Sequence, residues 1–580
     1  MTIVLRALAK NSKRGKRNMT TTTLSVGESA PGLLSRERII AKPGFNRWLV
    51  PPAALAIHLC IGMSYGLSVF WLPLAQAIGV NKPVSCPDMT MLGSLFTTTC
   101  DWRVTDLLVI FTLGIVFLGL SAAVFGGWLE RAGPRKAGVV AALCWGGGFI
   151  ISGVGVLIHQ LWVLWLGLGI IGGIGLGLGY ISPVSTLIKW FPDRRGMATG
   201  MAIMGFGGGA MIGSPLAVIL MNGGDFINGN LPSWGHLQVH FDGFRSASTV
   251  GVWQTFMVMG AIYIAFMTAG AFGYRVPPEG WQPDGWAPPT NSHAMITTGN
   301  VHLEDAHKTP QFWLLWLVLC LNVSAGIGVL AMASPMLQEI FAGSLIGLPD
   351  ITFSALSEAQ KIAIAAIAGG FVSLLSLFNS GGRFVWASLS DHIGRKRTYF
   401  IFFALGMLLY GLAPTFAHMG SRALFVGAFC IILSMYGGGF ATVPAYLADI
   451  FGTKFVGAIH GRLLTAWSTA GVVGPMIIGY IRDAQLAAGI PRAQVYDRTM
   501  YILVGFLLVG LLCNALIRPV HSKRLMKEDA EDRERTTMTG SHGIGFGGFS
   551  FGALLAWLAV GIPFTWGVWN TLVKAVVLFS

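Results

Sequence analysis

The sequence predicts an all-α protein that crosses a membrane many times and consists of two similar six-helix halves. Of 580 residues, 53% are hydrophobic and 11% are charged, whereas soluble domains carry roughly a quarter of charged residues. Twelve apolar runs, each about 20 residues or longer, lie between Trp48 and Arg518, and a helix needs that length to cross about 30 Å of hydrocarbon. A constant shift of 261 residues also aligns features of the first half with the second.

The apolar runs are long and uninterrupted, which favours helices over barrel strands that alternate over about ten residues. We expect helices at 48–78, 105–128, 138–158, 161–188, 196–221, 250–273, 312–340, 361–389, 398–416, 422–448, 456–481 and 499–517, and an additional transmembrane helix within 551–580. The predicted organisation is a disordered basic cytoplasmic tail, a first half, a central cytoplasmic loop, a second half, a cytoplasmic linker and the additional helix. Their bounds are 1–45, 46–274, 275–311, 312–519, 520–550 and 551–580.

The net charge of +14 is distributed as in membrane proteins. Lys and Arg crowd the N-terminal tail and the even-numbered loops, as at Arg131, Lys189 and Arg194. This positive-inside bias places the N-terminus in the cytoplasm. We therefore expect a multi-pass protein of the inner membrane, monomeric in the lipid bilayer, and no nucleic-acid partner.

The first 45 residues have no apolar core followed by a small-residue cleavage site, so we expect a cytoplasmic tail there and not a cleaved signal peptide. Five of the seven cysteines fall in the predicted spans. Cys86 and Cys100 share the first external loop, where an oxidising compartment permits a disulfide. Spacing alone leaves free thiols as an equal alternative.

A ten-residue loop motif occurs once in each half. Gly127-Trp-Leu-Glu-Arg-Ala-Gly-Pro-Arg-Lys136 follows predicted helix 2, and Ser388-Leu-Ser-Asp-His-Ile-Gly-Arg-Lys-Arg397 follows predicted helix 8. The same 261-residue shift pairs Pro183 with Pro444, Gly196 with Gly457, Gly200 with Gly461 and Gly213 with Gly474. So many agreements without a gap indicate a duplicated half.

An acid at a helix end, a glycine for a sharp turn and a basic cluster can form an ion-pair latch to a neighbouring helix. The alternative is that the basic residues only set the topology. We predict cytoplasmic gating loops made of Glu130, Gly133, Arg135, Lys136, Asp391, Gly394, Arg395, Lys396 and Arg397.

Arg383 precedes the acid of the second motif by eight residues, which places it about 12 Å into the membrane at 1.5 Å per residue. A cation there costs about 2.5–3.5 kcal/mol unless it is paired or faces water. No Asp or Glu occupies the middle of a predicted span. The sequence therefore favours a substrate anion held by the guanidinium over a structural ion pair.

The paired loops, the six plus six helices and the long central loop resemble the major facilitator superfamily, although Ser388 stands where the family pattern has Gly. Within it, residues 46–50 (NRWLV), 65–70 (YGLSVF), 379–383 (NSGGR) and 465–467 (TAW) resemble the oxalate/formate antiporter family. The resemblance covers roughly residues 45–520. Residues 556–569 resemble a small single-helix subunit found with such transporters, here fused to the chain.

The resemblance implies a midplane aromatic cage that binds a small organic anion. Beside Arg383, the residues it assigns are Tyr65, Tyr180, Phe206, Tyr436, Phe440 and Trp467. For any one of these aromatics, packing or a lipid-facing position is the alternative. Trp467 falls where the oxalate-specific member of the family carries a lysine, which puts the binding of a dianion in doubt.

A single visible cation favours a monoanion such as formate, lactate or pyruvate, or oxalate held by one arginine and hydrogen bonds. His58 and His460 are candidates for a second, titratable charge; the alternative for each is a packed hydrogen-bonding histidine. At the 261-residue shift, Arg383 pairs with Ala122. The second half alone would then supply the charge of the site.

We therefore predict a secondary active transporter of small organic carboxylates that works by alternating access and oxalate/formate-type exchange. Without an intramembrane carboxylate to carry a proton, exchange is favoured over the alternative, proton-coupled monocarboxylate transport. A passive anion channel or a membrane sensor is the alternative of another class. The sequence has no metal-ligand cluster, catalytic triad or nucleotide motif, so we expect neither an enzyme nor a bound cofactor or metal.

Overall fold

Twelve helices in the described part of the chain are long and apolar enough to cross a membrane, as expected for a multi-pass protein. The computed structural model describes residues 32–80, 84, 86, 89–231, 235–283, 295–297, 299–526, 551–575 and 578. The predicted all-α membrane fold is confirmed.

Six membrane helices form the first half, and two of them are irregular. Helix α1 passes from α-helix into 3-10 helix and back, and α4 contains a π-helical segment. The bounds are α1 (Val50–Ile61, Gly62–Phe70, Trp71–Leu74), α2 (Val104–Ala132), α3 (Pro134–Leu157), α4 (Leu161–Leu164, Trp165–Ile171, Gly172–Trp190), α5 (Arg195–Asn222) and α6 (Val252–Gly273).

The second half repeats this arrangement, and the additional helix follows it. The bounds are α7 (Pro310–Phe341), α8 (Glu358–Ile393), α9 (Arg395–His418), α10 (Arg422–Phe451), α11 (Val456–Leu463, Thr465–Ala487), α12 (Asp497–Leu516) and α13 (Phe551–Ala575). Helix α13 is among the twelve candidate spans; α8 has 36 residues, ample to cross about 30 Å.

Short elements join the membrane helices. An antiparallel hairpin, β1 (Gly224–Leu231) and β2 (Gly235–Phe241), occupies the loop between α5 and α6, which the apolar runs left unassigned. The remaining pieces are the short helices Met91–Phe96 and Leu303–Ala306 and the 3-10 turns Glu37–Ile39, Arg47–Leu49, Ala342–Ile346, Phe353–Ala355, Arg492–Gln494 and Ser522–Arg524. In the first external loop, Cys86 and Cys100 form a disulfide.

The two halves meet along two seams, α5 with α8 and α2 with α11. At the 261-residue shift α2 corresponds to α8 and α5 to α11, so the seams are related by the internal repeat. Small residues let the backbones approach closely: a side chain at Gly126 of α2 would collide with the Ala458 backbone of α11.

The side of the membrane that carries both loop motifs is here named the motif face, and terminal and central segments pack on it. Ile40 bridges to Val276, and Ile39 is fully buried. The prediction of a disordered tail through residue 45 is therefore wrong for residues 37–41, because an apolar side chain and backbone hydrogen bonds hold them. Residues 1–31 lie outside the described residues.

The later part of the central loop is bound to the second half. Val301 bridges to Leu525 of the segment after α12, and Arg462 donates to the Glu304 carboxylate at 2.6 Å. That hydrogen bond from Arg462 lowers the pKa of Glu304 below its ordinary value. Residues 295–297 and 299–309 of this loop are thus bound to the second half, whereas Arg275 and Trp281 at its start contact Trp190 of the first half.

Candidate functional site

Arg383 lies on α8 between the two halves, and none of its surface is exposed. Its Nε donates to Asn379 Oδ1 at 3.0 Å, one turn earlier on α8. Its Nη1 donates to the Ile203 carbonyl of α5 at 3.4 Å. Nη2 has no hydrogen-bond partner among the described residues, and no described Asp or Glu forms an ion pair with this guanidinium. One edge of the cation is left for a ligand.

Two phenylalanine rings flank the Arg383 guanidinium. The Cζ atom lies 5.4 Å from the ring centroid of Phe206 and 5.3 Å from that of Phe440. Both distances fall within the roughly 6 Å range of cation–π attraction. Phe206 belongs to α5 and Phe440 to α10, so each half supplies one ring.

Trp467 of α11 joins these rings into one cage. Its ring lies 4.4 Å from Phe440, 5.4 Å from Phe206 and 5.4 Å from Tyr180, centroid to centroid. Tyr65 packs edge-on against Phe206 at 5.0 Å. These contacts place three aromatic side chains, from three helices of the first half, and two from the second half around one point near Arg383.

A tyrosine pair crosses the cage between the halves. The hydroxyls of Tyr65 and Tyr436 are 3.3 Å apart, and Tyr436 packs against Phe440 at 5.2 Å. Tyr65 lies in the 3-10 segment of α1, and such a segment within a helix often marks a hinge. All seven residues predicted for the substrate site are thus brought together.

Both predicted histidines border the cage through Tyr180. The Tyr180 ring lies 5.3 Å from the His58 ring and 5.8 Å from the His460 ring. His58 Nδ1 donates to the Ala202 carbonyl at 2.5 Å, so this nitrogen carries a proton, because a carbonyl oxygen can only accept. Nε2 of His58 and both ring nitrogens of His460 have no hydrogen-bond partner among the described residues.

Several buried polar atoms of this cage have no hydrogen-bond partner among the described residues. The Tyr180 hydroxyl and the Trp467 Nε1 are buried without a hydrogen bond to any described residue. Buried polar groups nearly always have partners. A small ligand with several acceptor oxygens would supply them, which suits a carboxylate.

The close approach of α10 to α8 sets the position of Arg383. A Cβ added to Gly437 would collide with the Asn379 carbonyl and lie 3.0 Å from Arg383 Cγ. Helix α11 is interrupted at Leu464, three residues before Trp467. These local features let side chains from distant segments reach one point.

The acids of the two loop motifs bind across the seams. Asp391 accepts hydrogen bonds from the backbone N–H of Gly196 and Met197, each at 2.8 Å. Glu130 accepts from the N–H of Gly457 at 3.2 Å and pairs with Lys189 at 2.6 Å. Each acid thereby caps the first turn of a helix in the opposite half, α5 or α11, where a negative charge is stabilising.

The basic residues of the motifs act mainly within their own halves. Arg135 donates to the carbonyls of Phe272 and Tyr274 at the end of α6, and Lys396 donates to those of Ala515 and Ile517 at the end of α12. Arg395 forms an ion pair with Asp391 of its own motif. Gly133 and Gly394 have φ of 86° and 87° and form the turns between helices. Lys136 and Arg397 are exposed.

Three residues that contribute to the cage or to the contact between the halves were not among the predicted site residues. Asn379 positions Arg383, and its four-residue spacing on one helix face was the available signal. Arg195 and Asp449 form an ion pair of 3.0 Å across the α5–α10 contact. Their pairing depends on how the halves meet, and the 261-residue repeat relates neither of them to the other.

The family model of the major facilitator superfamily matches residues 54–475 and 351–579. The chain belongs to the major facilitator superfamily. It is therefore a membrane transporter by family, and the predicted multi-pass membrane character is confirmed.

Transporters of several named kinds are similar to this chain. The oxalate:formate antiporter of Oxalobacter formigenes is 26% identical over 435 residues, covering 74% of this chain and 83% of that protein. Apicoplast pyruvate carrier 1 of Toxoplasma gondii is 27% identical, covering 70% and 78%. Human monocarboxylate transporter 11 is 23% identical, covering 75% and 77%.

Two solved transporters share the fold. The proton:xylose symporter XylE, bound to 6-bromo-6-deoxy-D-glucose, gives a TM-score of 0.53 at 14% identity and covers 84% of this chain and 98% of that one. The transporter FucP in its outward conformation gives 0.51 at 13% identity, with 80% and 99% covered. At these sequence identities, the two structures show only that this chain has the same fold.

Proposed function

We propose that this protein is a secondary active transporter of small organic carboxylates that works by alternating access and exchanges one anion for another, as oxalate/formate antiporters do. The observation that carries the proposal is Arg383, a buried cation flanked by Phe206 and Phe440 with one edge unpaired. A carboxylate would bind that edge and use the free Tyr180 and Trp467 donors.

The size and lining of the cage support a small planar substrate. The Trp467 ring lies 5.4 Å from the Phe206 ring and 4.4 Å from the Phe440 ring, so the space beside it is narrow. Aromatic faces exclude water and leave the few polar groups to orient the ligand. The names of the antiporter and the pyruvate carrier, both similar over 70% or more of this chain, agree with a small carboxylate.

The charge of the site supports exchange. Among the described residues, no acid lies against Arg383, so the empty site carries an unneutralised cation that resists reorientation across the membrane. A bound carboxylate neutralises this cation and permits the site to reorient across the membrane. No described carboxylate is placed to load a proton instead, which separates this proposal from proton-coupled transport.

The orientation belongs to the same proposal. The basic loops lie on the motif face. By the positive-inside bias, that face and the N-terminal segment lie in the cytoplasm, and the membrane is the inner membrane of the cell.

Counterflow in proteoliposomes tests the function. We expect radiolabelled oxalate or formate to accumulate in vesicles preloaded with either anion, and little to enter vesicles loaded with a neutral osmolyte. The variant Arg383→Ala should lose at least about tenfold of the rate, because a charge-assisted hydrogen bond contributes about 1.5–3 kcal/mol. Arg498→Ala, an exposed arginine at the start of α12, is the control. Uptake that ignores the internal anion and follows an imposed proton gradient would contradict exchange.

A further inference from the structure

Helix α13 lies outside the internal repeat and packs through one face. Residues spaced alternately by four and three positions form that face: Ala553, Trp557, Val560, Phe564, Gly567 and Thr571 are buried or partly buried. This is the spacing of a heptad seam. On the other face Leu555, Ile562 and Trp569 are 51%, 65% and 68% exposed, as suits contact with lipid.

The packed face of α13 contacts both halves of the transporter. In the first half, Val560 clusters with Leu55 and Leu59 of α1. The Phe564 ring covers Gly208 of α5, where an added Cβ would lie 2.6 Å from the ring. In the second half, α13 packs along α8, the helix that carries Arg383.

Helix α13 therefore covers the α5–α8 seam from the lipid side. Successive α5 residues face three neighbours: Phe206 contacts the Arg383 guanidinium, Gly207 meets the Ser380 backbone of α8, and Gly208 meets α13. The seam is further tied by the Ser380 hydroxyl, which donates to the Met204 carbonyl at 2.9 Å. One helix thickness separates α13 from the cage.

We propose that α13 is an intramolecular clamp that stabilises the conformation in which the motif face is closed. The inference rests on the alternating-access part of the proposed function. When the halves rock, α5 and α8 change their relative tilt, and a helix packed on both must lose contacts to one of them. A segment that binds one conformation better shifts the equilibrium towards it, and here the favoured conformation has both motif acids capping the opposite half.

Two glycines of α13 provide a matched pair of variants. A Cβ at Gly567 would lie 3.1 Å from Met211 Cβ of α5, whereas nothing lies within 4 Å of one at Gly561. Gly567→Leu should push α13 off the seam, and Gly561→Leu should not. The reporter is Ala458→Cys on α11, which is 1% exposed against Gly126 of α2 and becomes accessible when the motif face opens.

The measurement is the rate of maleimide labelling of this cysteine in nanodiscs, where the reagent reaches both faces, with variants lacking Ala458→Cys as background. Gly567→Leu should raise the rate about five- to thirty-fold, as expected for an overpacked contact. Gly561→Leu should match the parent. Equal rates for the two leucine variants would overturn the clamp.

A second pair covers the case in which Gly567→Leu does not accumulate in the membrane. Phe564→Ala removes the ring over Gly208, and Trp569→Ala removes an exposed ring of the same helix. Faster labelling in Phe564→Ala alone supports the clamp, and equal labelling in both overturns it.

Failure of the proposed function gives a different result. If the protein does not alternate, saturating oxalate or formate leaves labelling of Ala458→Cys unchanged in the parent. If labelling responds to the anion in the parent and Gly567→Leu behaves as Gly561→Leu, the clamp alone is wrong.

Discussion

The Asp391 carboxylate of the second half accepts a 2.8 Å hydrogen bond from the backbone N–H of Gly196, at the start of a helix in the first half. Glu130 makes the equivalent bond to Gly457 across the other seam. The 261-residue repeat therefore appears in space as two reciprocal caps. We propose that both caps break when the motif face opens, so that the loop motifs control access to the cage from that face.

Neutralising one cap should favour the open motif face. Asp391→Asn keeps the shape and removes the charge that attracts two backbone N–H groups and Arg395. Since a hydrogen bond to a charged group contributes about 1.5–3 kcal/mol, we expect faster maleimide labelling of Ala458→Cys by about tenfold or more. Asp350→Asn, an exposed acid between α7 and α8, is the control. An unchanged rate in Asp391→Asn would argue against a gating role for the motif.

The close contact of α10 with α8 should be essential for transport. Gly437→Ala places a methyl group against the Asn379 carbonyl and beside Arg383, whereas Gly427→Ala on the same helix meets nothing within 4 Å. Overpacking typically costs about 1–3 kcal/mol, here at the residue that orients the cation. We expect Gly437→Ala to reduce counterflow at least tenfold, and Gly427→Ala to leave it near the parent rate. Similar rates in the two variants would mean that this contact does not position Arg383.

The charge of the substrate should follow the number of cations in the cage. Trp467 supplies a neutral N–H beside Phe440 and Phe206. Trp467→Lys adds a second cation and should raise the preference for oxalate over formate by about tenfold, the value of a new charge-assisted bond. Trp467→Phe is the control for loss of the indole. Competition of unlabelled oxalate and formate against labelled formate measures the preference, and an unchanged ratio in Trp467→Lys would place Trp467 away from the bound anion.

The disulfide should stabilise the external loop and not the transport step. Cys86 and Cys100 are 14 residues apart, and closing a loop of that length contributes about 3 kcal/mol. The double variant Cys86→Ser with Cys100→Ser should therefore unfold at a lower temperature in a thiol-independent thermal assay, with counterflow retained below that temperature. A reductant should lower the melting temperature of the parent and leave the variant unchanged. A variant that melts with the parent would contradict this role.

Sequence reasoning found the parts of this molecule that depend on local pattern. Apolar run length gave the membrane helices, the repeat gave the equivalence of Glu130 and Asp391, and an unpaired charge singled out Arg383. The family resemblance supplied the aromatic cage. The partners Gly196 and Gly457 could not be derived, because a cap across a seam depends on how two distant helices meet.

Two further features of the structure were not predicted from the sequence, for similar reasons. Residues 37–41 were assigned to a disordered tail, because the polar, basic residues around them hide the buried Ile39 and Ala41. The docking of α13 on the α5–α8 seam was not foreseen, although its heptad spacing from Ala553 to Thr571 is visible in the sequence. Spacing identifies a packing face and does not name the helices that it meets.

Direct binding of the anion to the cage tests the central claim most sharply. Isothermal titration of the purified protein in nanodiscs with formate and with oxalate should give saturable binding to the parent and to Arg498→Ala. Arg383→Gln, which keeps hydrogen-bond donors without the charge, should bind at least about tenfold more weakly, and Arg383→Lys should recover part of the loss. Binding to Arg383→Gln with the parent affinity would contradict the assignment of Arg383 as the group that holds the substrate.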